Sequence, residues 1–463
     1  MNKHFLFIGL SCLTACTVGP DYKRPDFVSD DEIAKALSLN EKASPVLRSD
    51  WYAAFEDEKL NALIDQALTN NPTLDSYGHK LKRARHLLAA AKVAGLPVFD
   101  VSGGYTKVKP SRNVAGAVRE NYYTVGLDAS WETDFWGAER RKAEAANAAV
   151  ETAKAGLDDM KIILKAEVVS VYVSLRSAQE RLRLLEQAAD VQNSLSDIAD
   201  SNRFAGLTAT TDALTVHIAT ERLKAQIPSL EQAVDTYKNA LAVLAGVLPD
   251  ALTPLTGTDT DANIVNAPFK CDLSALYDIP AAVIRHRPDV RAAESELVAA
   301  NAEIGQAVAA LYPNISLSAL FGFQADVFKR LTSKNSHLVN LTPTISLPLF
   351  HWNALTNAVK AAEEGEQAQK SAYKAALLSA VRDLKDSMTQ VNKSYASHLK
   401  NKQVTVKARD LAALTMKLYR SGLVPLSDAL QSIQNLLNAR SSEIAGKAEV
   451  YQAVAAFYKA VGV

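Results

Sequence analysis

The sequence predicts a mixed α and β membrane protein, in which short strands join an oligomeric β-barrel and very long helices extend this barrel as a tube. Three observations predict this class. The chain contains a tandem repeat, four segments alternate apolar and polar residues, and the stretches 138–204 and 353–421 are proline-free and rich in helix formers. With 48% hydrophobic residues and zero formal net charge, the chain can bury a large core and lacks the basic excess of nucleic-acid-binding proteins.

The repeat is visible as landmark residues that recur 216 positions apart. The pairs are Pro72 and Pro288, Leu96-Pro97 and Tyr312-Pro313, Phe135-Trp136 and His351-Trp352, Gly206-Leu207 and Gly422-Leu423, and Asp212 and Asp428. This offset predicts repeat 1 at 56–250, a linker at 251–271 and repeat 2 at 272–463, and the residues that precede repeat 1 are predicted to be a signal peptide at 1–15 and an N-terminal anchor segment at 16–55. Each repeat is expected to contain helices, a β-hairpin (98–132 or 314–348), a long helix and a return helix.

Residues 1–15 have the features of a lipoprotein signal peptide, with a positive head, a short apolar run and small residues before a cysteine. Leu13-Thr14-Ala15-Cys16 resembles a bacterial lipobox, so we expect Cys16 to be acylated and to become the mature N-terminus. The next residue is Thr17 rather than aspartate, which is typical of lipoproteins sorted to the outer membrane. A plain cleaved signal with an incidental cysteine is the alternative.

Four segments of about 9–11 residues alternate as strands do when their two faces differ. Their apolar members are Phe99, Val101 and Tyr105; Tyr123, Val125, Leu127, Ala129 and Trp131; Ile315, Leu317, Ala319, Phe321 and Phe323; and Leu341, Ile345 and Leu347. Leu320 breaks the third pattern, and Pro343 is awkward for strand pairing in the fourth. A half-buried soluble sheet would show the same alternation.

No run of 18 apolar residues exists, so a chain of this sequence could span a membrane only with strands. Four strands cannot close a barrel, and open strand edges are not viable in lipid. Membrane-spanning strands would therefore require a ring of identical chains.

The helical pattern predicts very long elements. The expected helices are 57–70, 72–94, 138–204, 210–245, 288–310, 353–421 and 425–460. The two longest would reach roughly 100 Å at 1.5 Å per residue, although two or three shorter helices with undetected turns would fit the same composition. Gly206 and Gly422 are expected to end them in turns, and Pro228 is expected to kink the first return helix.

Several segments together resemble one family, the TolC-like outer-membrane efflux factors, in the lipoprotein branch linked to resistance-nodulation-division pumps. The resemblance is carried by Cys16–Pro25, Trp51–Leu74, Ile279–Glu294, Tyr312–Leu317 and Tyr419–Leu423. It implies a homotrimer with a twelve-stranded transmembrane β-barrel and a periplasmic α-barrel of long coiled-coil-like helices. It also implies a lipid-anchored exit duct in the outer membrane of a Gram-negative bacterium, engaged by a periplasmic adaptor and an inner-membrane pump. Drugs or other small toxic compounds would leave passively through this duct.

The resemblance also implies a periplasmic gate. Asp212 and Asp428 follow the helix-ending glycines by six positions, where the family places aspartates around the closed end of the tunnel. Tyr419 matches a gate tyrosine, and Arg420 and Arg203 are the basic residues nearest in sequence that could offset the repulsion of the carboxylates. At position 424 a valine stands where some relatives place a charged residue that helps lock the gate. The alternative for both aspartates is a favourable charge in the first turn of a helix.

Catalytic motifs are absent from the sequence: it contains no His-Glu-x-x-His, no phosphate-binding glycine loop and no nucleophile elbow. We therefore expect no enzyme activity, and no metal or cofactor apart from the lipid on Cys16. Arg285 and Arg287 are expected to form structural ion pairs. Two other classes stay possible at this point, a surface coiled-coil lipoprotein and a diffusion porin. The first would not need the strands, and the second would not need helices of this length.

Overall fold

A computed structural model of the chain describes residues 17–38, 50–111, 113, 120–252 and 279–463. The signal peptide, Cys16 and the linker beyond Leu252 lie outside the described residues. The chain forms two compact units. The strand unit comprises the described parts of Met1–Asp26, Lys80–Lys154 and Arg291–Ala375, and the helical unit comprises those of Phe27–His79, Ala155–Val290 and Ala376–Val463. Each unit therefore contains segments of both predicted repeats.

Helices dominate the described part of the chain. They are α1 (Asp30–Leu37), α2 (Glu58–Asn70), α3 (Pro72–Val93), α4 (Ala138–Phe204), α5 (Thr210–Lys224), α6 (Ile227–Leu244), α7 (Val283–His286), α8 (Pro288–Ala309), α9 (Trp352–Arg420) and α10 (Leu426–Val461). The strands are β1 (Val98–Val108), β2 (Glu120–Glu132), β3 (Asn314–Ala325) and β4 (His337–Ser346), and 3-10 turns occur at Trp51–Phe55, Pro249–Leu252 and Phe328–Arg330.

The two proline-free stretches are single helices, because α4 has 67 residues and α9 has 69. The prediction of unusually long helices is confirmed, and the alternative of several shorter helices is wrong. The first return helix, however, is interrupted rather than kinked: α5 ends at Lys224 and α6 begins at Ile227. Pro228 lies in the first turn of α6. Backbone N–H groups in the first turn have no acceptor within the helix, so the lack of an N–H in proline costs no hydrogen bond there.

In the strand unit, the four strands form one antiparallel sheet in the order β1-β2-β3-β4. The two predicted hairpins are joined by the pairing of β2 with β3, in which Leu127 lies opposite Phe321. Pro343 lies in β4, opposite Leu317. Since β4 is at the edge of the sheet, a proline there is tolerated.

The strands β2 and β3 approach closely where Gly126 and Gly322 face each other. A Cβ atom at Gly322 would lie 2.3 Å from the carbonyl oxygen of Val125 and 2.5 Å from Cα of Gly126. Leu320, the exception to the alternation, has its Cδ1 only 2.6 Å from the position of a Cβ at Gly126. The leucine therefore fills the space that the glycine leaves on that face.

The first described residues are held in the strand unit by Arg141, whose side chain is only 4% exposed. The backbone N–H of Val18 donates to the carbonyl of Trp136 at 3.1 Å. Arg141 donates to the carbonyls of Val18 and Gly19, each at 3.3 Å, and to the carboxylate of Asp21 at 2.8 Å. A buried guanidinium needs such acceptors, so the N-terminal segment and the start of α4 stabilise each other.

The helical unit has a core of α2, α4 and α10 with a buried polar contact at its centre. One carboxylate oxygen of Asp57 accepts two backbone N–H groups in the first turn of α2, at 3.0 and 3.1 Å. The other accepts the hydroxyl of Tyr172 at 2.8 Å. Trp51 stacks on Tyr458 with ring centroids 4.8 Å apart. The cap thus orients α2 while the aromatic rings supply buried area.

Arg285 and Arg287 form structural ion pairs, as predicted. Arg285 donates to Asp30 at 2.8 Å. Arg287, 8% exposed, donates to the carboxylate of Asp289 and to the carbonyl of Ala460, both at 2.7 Å. These bonds connect α7 and α8 to α1 and α10 within the helical unit.

We predict that Gly322→Ala destabilises the protein by about 1–3 kcal/mol, because the new methyl group would overlap backbone atoms of β2. Gly104→Ala is the matched control, since a Cβ at Gly104 in β1 would meet no atom within 4 Å. Denaturant unfolding in detergent, followed by circular dichroism, measures both. Equal midpoints for the two variants would contradict the close approach of β2 and β3.

Candidate functional site

The sheet has two chemically different faces. Directly opposite residues in the four strands form rows, and one central row is Val101, Leu127, Phe321 and Val339. All four side chains are exposed, by 81%, 41%, 49% and 68% respectively. An exposed contiguous apolar face of this kind is typical of a surface that contacts a membrane or another protein.

The opposite face carries the polar members of the same strands. One of its rows is Asp100, Asp128, Leu320 and Asn340, and the next is Ser102, Gly126, Gly322 and Leu338. Small and charged side chains on this face contrast with the apolar rows behind it. In the described part of the chain the apolar face of the sheet is exposed, whereas a half-buried soluble sheet has its apolar face covered by the core of the protein.

Both edges of the sheet are open in the described part of the chain. β1 pairs only with β2, and β4 pairs only with β3. Their outward N–H and C=O groups need partners wherever water is absent.

At the other functional region, α4 and α9 end in the same turn. The N–H of Gly206 donates to the carbonyl of Arg203, and that of Leu207 donates to Asn202 at 2.8 Å. Around Gly422 the same two bonds recur, from Gly422 to Tyr419 and from Leu423 to Leu418. Both glycines have positive φ, +73° and +71°. This is the Schellman arrangement, in which glycine avoids the strain that a side chain would cause.

Asp212 and Asp428 occupy the third position of α5 and α10, and both are exposed. Ala213 and Leu430 pack in one small cluster with Ala199 of α4. The structure therefore brings the starts of α5 and α10 together at one end of the helical unit.

Within the described residues, neither predicted arginine forms an ion pair with Asp212 or Asp428. Arg203 lies 3.7 Å from Asp200 instead, with its guanidinium 4.3 Å above the ring of Phe204. Arg420 and Tyr419 lie at the end of α9, exposed and half-buried respectively.

The sequence reasoning missed one contact near this turn. Nε2 of His217 lies 3.1 Å from the carboxylate of Asp200, which also faces Arg203. The three-residue spacing of Asp200 and Arg203 signals their helical pairing. The contact of His217 with Asp200 has no signal in the sequence, because it forms only when α5 packs back along α4.

The end of the helical unit also exposes apolar side chains. Phe204, Leu207 and Leu423 are 79%, 74% and 72% exposed. The turns that end α4 and α9 therefore present three large apolar side chains at their surface.

No helix in the described part of the chain is long and apolar enough to cross a membrane.

The sequence profile of the outer membrane efflux protein family matches residues 63–247 and 279–463. The chain belongs to this family. The starts of the two matched segments are 216 residues apart, the offset of the landmark residues. The resemblance to TolC-like outer-membrane efflux factors is confirmed.

Known relatives agree with this membership. Nodulation protein T of Rhizobium leguminosarum bv. trifolii is 25% identical, with 93% of this chain and 90% of that protein covered. The toluene efflux pump outer membrane protein TtgF of Pseudomonas putida is 29% identical, with 84% and 82% covered. The structure of the outer-membrane channel OprN superimposes with a TM-score of 0.84 at 26% identity, covering 96% and 99% of the two chains. The chain is thus an outer-membrane efflux channel protein, the exit duct of an efflux pump in a Gram-negative bacterium.

Lys447, a buried lysine between α9 and α10 of this efflux protein, makes its stability depend on pH. Burial, assisted by the charge of Lys402 and opposed by Glu443, lowers the pKa of Lys447 to about 8. Burial also lowers the pKa of the neighbouring His398. As pH falls from 10.5, the ordinary pKa of lysine, to about 8, the unfolded chain gains a proton that the folded chain does not take up. Stability is therefore lost over this window and stays lost below it.

We predict that Lys447→Met raises the free energy of unfolding by about 1–3 kcal/mol at pH 7 and by much less at a pH well above 10.5, where the lysine is neutral in both states. Thermal unfolding at the two pH values measures this. Lys400→Met, at an exposed position of α9, serves as the control and should change stability by less than about 0.5 kcal/mol at either pH. A gain from Lys447→Met that is equal at both pH values would contradict the burial of a charge.

Proposed function

We propose that three copies of the chain assemble into one conduit, in which β4 of each copy pairs with β1 of the next to close a twelve-stranded barrel. The observation that carries this proposal is the exposed apolar row Val101, Leu127, Phe321 and Val339 on a sheet whose two edges are open. In lipid the apolar face needs no cover. At an unpaired edge, by contrast, each unsatisfied backbone N–H or C=O group would cost several kcal/mol. Pairing between copies satisfies every edge.

The family resemblance implies three copies, and the room that a solute needs is consistent with this number. Two copies would supply eight strands, and side chains fill the interior of an eight-stranded barrel. Three copies supply twelve and leave room for a solute to pass. The polar face, with Asp100 and Asp128 directly opposite each other, would then line the aqueous interior.

Three partners complete the proposed function. Acyl chains on Cys16 would anchor each copy to the lipid bilayer, at about 0.8 kcal/mol for each buried CH₂ group. The exposed Phe204, Leu207 and Leu423 would dock a periplasmic adaptor. An inner-membrane pump would supply the energy, while the channel itself passively passes drugs or other small toxic compounds. A relative whose name refers to toluene efflux supports a small toxic cargo.

We predict that Leu127→Arg or Phe321→Arg impairs barrel insertion, by roughly 2–4 kcal/mol per chain for a charge in mid-membrane. The SDS-resistant oligomer recovered from outer membranes measures insertion. Asp128→Arg is the depth-matched control, because residue 128 follows residue 127 but belongs to the opposite face, and Ser130→Arg should be equally mild. Full recovery of the Leu127 variant, or equal loss in the controls, would remove the basis for a lipid-facing row.

We further propose that Asp212 and Asp428 form a periplasmic gate with Tyr419, Arg420 and Arg203. Three copies would place six carboxylates around one narrow opening. Each carboxylate pair at 4 Å repels by about 1 kcal/mol in bulk water, and by more beside a protein wall. Such a ring favours cations over anions. The position of both aspartates at one end of the helical unit supports this role.

We predict that Asp212→Ala combined with Asp428→Ala abolishes block by divalent cations and weakens cation selectivity in planar-bilayer recordings. The combination of Asp212→Glu and Asp428→Glu keeps the six charges and should keep both properties. If the aspartates only stabilise their helices, the alanine pair will instead cost about 0.3–1 kcal/mol of stability per residue and leave selectivity unchanged.

A further inference from the structure

A cavity of about 520 Å³ lies in the strand unit, below the ends of β2 and β3. Its lining is largely apolar and includes Trp136 and Tyr312, whose rings stack with centroids 4.6 Å apart. Ala138 at the start of α4 and Ala309 near the end of α8 also line it. The cavity is partly open to its surroundings and polar side chains also contribute to its lining, so an apolar occupant would gain contacts with the apolar part of the walls.

Three carboxylates line this cavity, and each is engaged by another group: Glu139 accepts from the ammonium of Lys142 at 3.4 Å, and the other two are Asp134 and Glu132. Asp134 accepts backbone N–H groups of Glu139 and Arg140, both at 3.0 Å, and the Arg140 side chain at 3.1 Å. Glu132 accepts the side-chain amide of Asn314. The space that these groups leave is therefore suited to a neutral, apolar ligand rather than to a cation.

The first described residue of the chain, Thr17, lies beside this cavity. A Cβ atom at Gly137 would lie 3.1 Å from Cα of Thr17, so Thr17 packs directly on the residue between Trp136 and Ala138. One peptide bond joins Cys16 to Thr17, which places their Cα atoms about 3.8 Å apart. The hydrogen bond from Val18 to Trp136 fixes this position.

The same two helices hold the segment and form the cavity. In α4, Arg141 binds the segment while Ala138 lines the cavity. In α8, Gly305 lies directly against Gly19, since a Cβ at Gly19 would be only 2.5 Å from Cα of Gly305, and Ala309 one turn later lines the cavity. Any group attached to Cys16 therefore starts within reach of the cavity.

We infer that this cavity is a binding site for one fatty acyl chain on Cys16. The inference rests on the proposed lipidation of that residue. A cavity of about 150 Å³ holds one benzene molecule of six carbons, so 520 Å³ accommodates a chain of about sixteen to twenty carbons. Because lipid is as apolar as the cavity, the site gains little from the hydrophobic effect. Its effect is to fix the anchor beside the base of the sheet, while the other acyl chains enter the bilayer.

The test uses the full-length protein, made in cells that are fed a palmitate analogue with a photoreactive diazirine. After illumination, peptide mass spectrometry locates the crosslinks that start from Cys16. We expect them on residues 132–139 and 306–313 of the same chain. Ala310→Trp, which fills the cavity, should reduce these crosslinks several-fold. Ala94→Trp is the control, because position 94 is exposed, belongs to the same unit and does not line the cavity.

The outcomes separate the two ideas. Intact mass with acyl additions on Cys16, together with crosslinks to bulk phospholipid or to a second chain, would overturn the cavity site and leave lipidation standing. An unmodified Cys16 would overturn both. Cavity crosslinks that persist unchanged in Ala310→Trp would show that the chain lies outside the cavity and would also overturn the site.

Discussion

Every backbone N–H and C=O group away from water needs a hydrogen-bond partner. The four-stranded sheet supplies such partners only between its neighbouring strands. The outer edges of β1 and β4 have no strand beside them in the described part of the chain. An apolar face on the same sheet excludes the usual remedy, a charged edge exposed to water. Closure by identical copies satisfies both conditions, and the remaining features of the strand unit are compatible with it. Pro343 is tolerated because it lies in an edge strand. The close pairing of Gly126 with Gly322 joins strands of the two repeats in one sheet.

The helical unit solves a different problem, the reversal of very long helices. Gly206 and Gly422 end them with the same pair of hydrogen bonds, so the two turns have the same geometry although their flanking side chains differ. This geometry places an acidic residue in the first turn of each return helix, where the helix dipole favours it. Stabilisation by the helix dipole and the proposed gating are therefore compatible uses of one carboxylate.

Local patterns predicted the elements well, because the relevant interactions lie within one helix or strand. The bounds of α4 follow from residue composition. The helix predicted to begin at residue 57 begins at Glu58, and Asp57 is its cap. The break before Pro228 was expected only as a kink. Proline prevents a regular continuous helix, but the sequence around it does not indicate whether the helix bends at this point or ends and starts again.

Contacts between distant segments could not be predicted in the same way. Arg141 binds carbonyl groups some 120 positions earlier, and a backbone acceptor leaves no mark in the sequence. The pairing of His217 with Asp200 depends on how α5 folds back along α4. For the gate, the family resemblance supplied Asp212 and Asp428, while the packing of Ala213 and Leu430 in one cluster required the structure.

The pairing of β2 with β3 has a consequence for biosynthesis. Thr133 and Ile315, joined by a hydrogen bond at the end of this pairing, are 182 residues apart. The first hairpin therefore leaves the export machinery long before its partner strand is available, with an apolar face and both edges uncovered. Such a species is prone to aggregation, and long-range strand pairing is intrinsically slow. Until the second hairpin has emerged, pairing of these uncovered edges with other chains competes with formation of the native sheet.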